Sequence, residues 1–217
     1  MTPPRPFRRA VILALLAAGA VAACAGPART GAVAPVRLVE SRPVDYALGD
    51  PALPASLDVW LELIRGARTS LDIEQFYLST WPGEPLEEVL AAAREAARRG
   101  VRVRLLLDAR MHATYPHPAD SLARLPGFEV RLVDFRRLAG GVQHAKFLLV
   151  DGRTTFLGSQ NLDWRALEHI HELGVAIRDP RVTADFARVF ELDWSAAAPF
   201  GQAPDTTRAA VAPQSSH

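Results

Sequence analysis

His144 and Lys146, two residues apart, and Ser159 and Asn161, also two apart, flank an Asp151-Gly152 pair in the stretch VQHAKFLLVDGRTTFLGSQN, residues 142–161. Asp-Gly between apolar, strand-forming runs is a hairpin signal, because a tight turn needs positive φ at its central residues. A two-residue loop of Asp151 and Gly152 pairs Val150 with Arg153 and sets His144 opposite Ser159. A four-residue loop sets His144 opposite Asn161 instead. Side chains alternate between faces along a strand and opposed residues share a face, so on either register His144, Lys146, Ser159 and Asn161 point the same way. A neutral imidazole there can attack phosphorus and form a covalent phosphohistidine. An ammonium beside it offsets charge on the non-bridging oxygens, and a hydroxyl and an amide orient the phosphoryl group. No clustered carboxylates mark a metal site, so no cofactor is expected and Lys146 takes the part of a divalent cation.

The pattern His144-x-Lys146-x4-Asp151-x6-Gly158-Ser159-x-Asn161 resembles the HKD signature of the phospholipase D superfamily. Six fixed positions at about 5% each arise by chance in roughly one in several hundred thousand chains of this length, so the spacing is specific. Leu162-Asp163-Trp164-Arg165 and Glu172-Leu173-Gly174-Val175 are similar to the branch that holds the animal lysosomal phospholipase-D-like exonucleases, and the resemblance runs from about Arg37 to Trp194. It implies a phosphodiester hydrolase in which His144 and Lys146 are catalytic and Ser159 and Asn161 hold phosphate. It also implies that Glu172 bonds the nucleophilic imidazole; a carboxylate on Nδ1–H fixes the tautomer and frees Nε2 to attack. Asp151 is explained by its turn and Gly158 by close approach of backbone or phosphate. Asp163 and Arg165 read as a bracing ion pair, Trp164 as core, and His169 and His171 as polar surface. His112, Tyr115 and His117 fall in a loop after a strand's C-terminal end, where substrate contacts are common.

The motif occurs once. In-line displacement needs a nucleophile on one side of phosphorus and an acid for the leaving oxygen on the other, and superfamily enzymes join two motifs around one site. The expectation is therefore a homodimer with the site on its twofold axis, or a second HKD half if the chain is the first part of a longer enzyme. The leading substrate expectation is a phospholipid headgroup ester, with single-stranded DNA or RNA as the alternative. An inactive half-site that binds phosphate or a partner is the third reading.

Positioning these groups falls to an α/β domain, residues 36–198, with a mixed, mostly parallel sheet flanked by helices. Strands are expected at Val36–Val39, Leu71–Leu78, Val101–Leu107, Phe128–Val133 and Glu172–Ile177. Helices are expected at Leu57–Ile64 with Ser56 as N-cap, Pro85–Arg99, Pro118–Leu125 and Arg181–Trp194. Residues 199–217, rich in Ala, Pro, Gln and Ser, read as a disordered tail.

Ahead of the domain, Arg5, Arg8 and Arg9 precede the apolar run Ala10–Ala23, which is shorter than the ~20 residues that span a bilayer. Val21-Ala22-Ala23-Cys24 resembles a bacterial lipobox. Residues 1–24 therefore read as a signal peptide with its lipobox, in which removal of residues 1–23 leaves a lipid-bearing Cys24, with 25–35 a linker, on the periplasmic or outer side of a bacterial envelope. Two acyl chains suffice for stable anchoring. Loss of residues 1–23 leaves 22 basic against 24 acidic residues, which weakens the case for a broadly basic nucleic-acid surface but leaves room for a local basic cleft.

Overall fold

Residues 35–45 and 49–202 are described by the structure, a computed structural model. The signal segment, Cys24, the linker up to residue 34 and the tail after residue 202 lie outside the described residues.

In chain order the elements are β1 (Val36–Ser41), α1 (Ser56–Gly66), β2 (Ser70–Gln75), β3 (Leu78–Ser79), α2 (Leu86–Arg98) and β4 (Arg102–Asp108). They continue with α3 (Ala109–Thr114), α4 (Pro116–Ala123), β5 (Phe128–Val133), α5 (Phe135–Ala139), β6 (Phe147–Val150) and β7 (Thr154–Gly158). The last are β8 (Leu162–Asp163), α6 (Arg165–Glu168), β9 (Glu172–Ile177), α7 (Pro180–Ala196) and β10 (Ala198–Pro199). α2 shows why the central stretch folds as it does. Leu86, Val89, Leu90, Ala93 and Ala96 recur at helical spacing and are buried. Glu87 and Glu88 favour the positive end and Arg98 the negative end. Gly100, at φ 89°, ends the helix as L side chains rarely can.

The main sheet runs β1-β9-β7-β6-β2-β4-β5-β10. β2, β4 and β5 are parallel because helices carry the chain back between them. The other five pairings are antiparallel, so the sheet is mixed but mainly antiparallel rather than mostly parallel. Of these, β6 and β7 follow each other directly in the chain, whereas β9 returns beside β1, β6 beside β2 and β10 beside β5 from distant parts of the sequence. β3 and β8 form a separate two-stranded pair. β10 hydrogen-bonds β5 and Phe200 packs on the core, so ordered structure runs past 198.

One sheet face, with Leu71, Ile73, Val103, Leu105, Leu148 and Phe156, packs on α1, α2 and α4. The other, with Leu106, Phe147 and Leu149, packs on Phe190 and Trp194 of α7. Polar side chains on that second face need buried partners. Asp72 accepts from Arg104 Nε at 2.6 Å, and Arg104 also reaches Glu191 at 2.6 Å.

The hairpin differs from both expected registers. Val150 pairs with Thr154, leaving the three-residue loop Asp151-Gly152-Arg153, with φ 53° and 63° at the first two. An odd loop reverses the parity, so strict alternation would put Ser159 and Asn161 on the face opposite Lys146. Ser56 is likewise not the cap of α1. Ala55 holds that position, and the buried Ser56 hydroxyl accepts from Gln160 Nε2 at 3.0 Å.

Candidate active site

The end of β2, the end of β4, the start of β6, the end of β7 and the start of β9 lie along one margin of the sheet, fixed by the pairings Glu74–Phe147, Gln75–Leu107 and Gly158–Gly174. His144 and Lys146 precede β6 in irregular chain at that margin, and Ser159 follows β7. The groups meet because both strands end there, which overrides the alternation that the register would impose.

Lys146 is buried, 6% exposed, although it carries an ammonium. Its Nζ donates to the His144 carbonyl oxygen at 2.8 Å and lies 3.1 and 3.2 Å from the two ring nitrogens of His144. Burial lowers the Lys146 pKa, while the Glu172 carboxylate works to raise it. The exposed His144 is held below the ordinary imidazole value by partial burial and then by the Lys146 charge. Its ring packs edge-on to Phe76, centroids 4.6 Å apart. A neutral imidazole with an ammonium alongside suits attack on phosphorus.

Glu172, at the start of β9, lies beside Ser159 and within electrostatic reach of Lys146. Burial raises its pKa, opposed by the Ser159 hydroxyl and the Lys146 charge. The His144 ring contacts Lys146 and Phe76, and among the described residues the expected carboxylate–imidazole bond is not formed. Glu172 Oε2 has no hydrogen-bond partner among the described residues, and neither has Asn161 Oδ1. Ser159 N donates to the Leu173 carbonyl at 3.0 Å. The structure thus gathers His144, Lys146, Ser159 and Glu172, with Asn161 half-buried two residues on.

Gly158 and Gly174 face each other across β7 and β9, and the Gln160 side chain lies over both. A Cβ on Gly158 would overlap Gln160 Oε1 and come within 3.1 Å of the Gly174 Cα. Asp151 sits at the far end of β6 from Lys146. Its carboxylate accepts from Arg68 N, Thr69 N, Thr69 Oγ1 and Ser70 N at 2.7–3.1 Å. Burial works against its charge, but these donors hold its carboxyl below the usual range.

The bracing pair is bidentate, with Arg165 Nε and NH2 each 2.8 Å from an Asp163 oxygen. His169 and His171 bond Glu84 and Glu40 at 2.8 and 2.7 Å. Tyr115 stacks on Tyr77 at 5.3 Å, and Tyr77 lies 5.6 Å from Phe76. Phe76, Tyr77 and Tyr115 form a half-buried aromatic run leading from His144. Sequence reasoning missed Phe76 and Tyr77, whose signal is two aromatic residues directly after the alternating strand Ser70–Gln75. It also missed the buried Gln143, one residue before His144.

A family model described as "Cardiolipin synthase, PLD-like domain" matches residues 60–194. The chain is 37% identical over 171 residues to the human 5'-3' exonuclease PLD3, covering 72% of this chain and 34% of that protein. It is 34% identical over 149 residues to the vaccinia virus (strain Western Reserve) virion nicking-joining enzyme, covering 67% and 34%. The chain spans about a third of the length of these curated relatives. Its fold superposes on NucT from Helicobacter pylori with a TM-score of 0.60 at 20% identity, covering 66% of this chain and 90% of that one. With the family match spanning the whole of the His144–Asn161 motif, this chain belongs to the phospholipase D superfamily, in its PLD-like domain family.

Proposed function

We propose that this domain hydrolyses phosphodiesters without a metal, through a phosphohistidine on His144, and that a second HKD face completes the site. The observation that carries the reading is the Lys146 ammonium, buried and in contact with both the ring and the carbonyl of His144. After burial, its charge is the second cause that lowers the imidazole pKa, and it stands ready for a phosphate oxygen. The Glu172 and Asn161 oxygens without partners leave polar capacity for a substrate and a second half. Exposed apolar side chains at Leu157 and Leu173, and at Val142 before His144, border the same margin and suit cover by another copy.

The substrate reading that the site supports best is a single-stranded nucleic acid. Phe76, Tyr77 and Tyr115 offer ring faces beside the nucleophile, and base–aromatic stacking contributes about 1–3 kcal/mol per base. Relatives named as an exonuclease and a nicking-joining enzyme support the same choice. The phospholipid reading draws on the expected anchor at Cys24, outside the described residues, and is the alternative outcome of the assay. Labelled single-stranded oligonucleotide and labelled phosphatidylcholine are offered in parallel with EDTA present. Cleavage of the oligonucleotide alone is expected, and release of the headgroup alone contradicts the substrate choice.

The two-face site has its own test. Each phosphate would be met by two His144 and two Lys146 side chains, which balance the charge on its oxygens. In a freely exchanging equimolar mixture of wild type and His144→Ala, about a quarter of dimers are intact under closed twofold symmetry. Activity near one quarter of the total is expected, whereas one half matches independent single-chain sites.

A further inference from the structure

Behind the His144 loop lies a carboxyl pair that the proposed chemistry does not use. Glu74, on β2, is fully buried, flanked by Leu106 of β4 and Phe147 of β6 under Phe190 and Trp194 of α7. Its Oε1 accepts from Gln143 Nε2 at 2.8 Å. Its Oε2 has no hydrogen-bond partner among the described residues, and the Asp193 carboxyl of α7 acts on the same carboxyl group. Gln143 is 2% exposed and precedes the nucleophile directly. Its Nε2 also lies 3.3 Å from the Ala145 carbonyl, and its backbone N donates to Asp108 Oδ2 at 3.0 Å. The chain on both sides of His144 is thus tied to the ends of β2 and β4.

We propose that Glu74 and Asp193 share one proton and, through Gln143, act as positioning residues that hold the His144 main chain for attack. A fully buried Glu74 carboxylate and the half-buried Asp193 carboxylate that acts on it would both be ionised only at high cost, and a shared proton removes one charge and supplies the missing donor. The other charged groups around the pair are engaged elsewhere. Arg104 of β4 is held by Asp72 and Glu191, Asp108 accepts from the backbone N–H groups of Arg110, Met111 and Gln143, and Lys146 faces His144. Burial first, and the Asp193 charge after it, push the Glu74 carboxyl up to about 8 against the opposing bond from Gln143. Burial raises Asp193 as well. Loss of the proton sets two negative charges against each other between β2 and α7 and slackens the anchor of Gln143.

The role rests on the phosphodiesterase reading, but the pair can be tested without it. Glu74→Gln keeps a carbonyl toward Gln143 and gives a donor toward Asp193; Asp193→Asn does the same from the other side. A raised carboxyl pKa makes stability complete below its unfolded value and lost as pH rises through the folded one. The melting-temperature gain of Glu74→Gln over wild type should therefore grow from about pH 4.5 to about pH 8 and then level off. Infrared spectra of wild type at pH 7 should show a protonated carboxyl band that Glu74→Gln or Asp193→Asn removes. In the active protein, Glu74→Gln should keep kcat within about threefold and lose the alkaline limb near pH 8, whereas Gln143→Leu should lower kcat about tenfold or more, as for a displaced nucleophile. A melting difference independent of pH, no such band, or an unchanged alkaline limb in Glu74→Gln overturns the proposal. A chain that cleaves no phosphodiester yet shows the band and the melting profile overturns the proposed function and leaves the proton-sharing pair standing.

Discussion

Lys146 Nζ lies 3.1 Å from His144 Nδ1 and 2.8 Å from the His144 carbonyl oxygen. One buried ammonium therefore contacts the His144 ring and main chain and, in the same position, discourages the ring from holding a proton. Replacing Lys146 with Met should lower kcat by about 10²–10³, the loss typical of one preorganised donor to a charged transition state. It should also shift the pH profile. His144 must be neutral to attack, so activity rises with pH through its pKa, which the Lys146 charge helps to depress. Without that charge the acid limb of kcat/KM should move to higher pH; an unmoved limb separates Lys146 from His144.

Glu172 is expected to act through Lys146 and Ser159 within its own chain. Glu172→Gln should lower kcat tenfold or more, within the ~10²–10⁴ range of acid–base participants. Its charge supports protonated Lys146 against burial, so the variant should lose activity at lower alkaline pH than wild type. A change confined to KM contradicts this role.

The paired glycines predict a coupled effect. Gly158→Ala drives a methyl group into the Gln160 amide and Gly174, at about 1–3 kcal/mol as for other overpacked sites. Gln160→Ala in the same chain removes the nearer obstacle and should restore part of that stability. Additive losses measured by denaturant unfolding contradict the contact, since touching residues couple and independent ones add.

Asp151 should prove structural although it belongs to the motif. Asp151→Asn weakens the acceptor for the Arg68, Thr69 and Ser70 N–H groups and should cost about 1–3 kcal/mol, the range for donors left unsatisfied. Its folded pKa is lowered, so its contribution is present above the unfolded value of 3.8 and lost as pH falls through the folded one. The stability gap to wild type should narrow in acid while kcat of the folded enzyme stays near normal. A kcat loss of a hundredfold at unchanged stability contradicts this.

The motif's residue types and spacing made the grouping legible, because His144, Lys146, Ser159 and Glu172 do come together. The reason offered for their meeting was wrong in its geometry. Asp151-Gly152 gave the turn and its positive φ values, but Arg153 joined the loop, and one extra residue reversed the parity of every position beyond it. The site survives because regular pairing stops at Phe147 and Gly158. The balance of the sheet was misread because alternating strand and helix signals describe the parallel strands of Ser70–Val133 but not the antiparallel pairings that β6, β7, β9 and β10 make. Asp72 and Glu74 alternate with apolar neighbours, which reads as a solvent-facing strand. α7 covers that face, and only tertiary structure supplies the Arg104, Gln143 and Asp193 that make burial tolerable.

The central claim is that His144 carries the phosphoryl group during turnover. Wild-type protein quenched in alkali while cleaving single-stranded oligonucleotide should yield, on peptide mass spectrometry, a phosphoryl or nucleotidyl adduct on His144. The adduct should vanish in His144→Asn and persist in EDTA. Steady turnover with His144 unmodified, or an adduct on any other residue, would contradict the account.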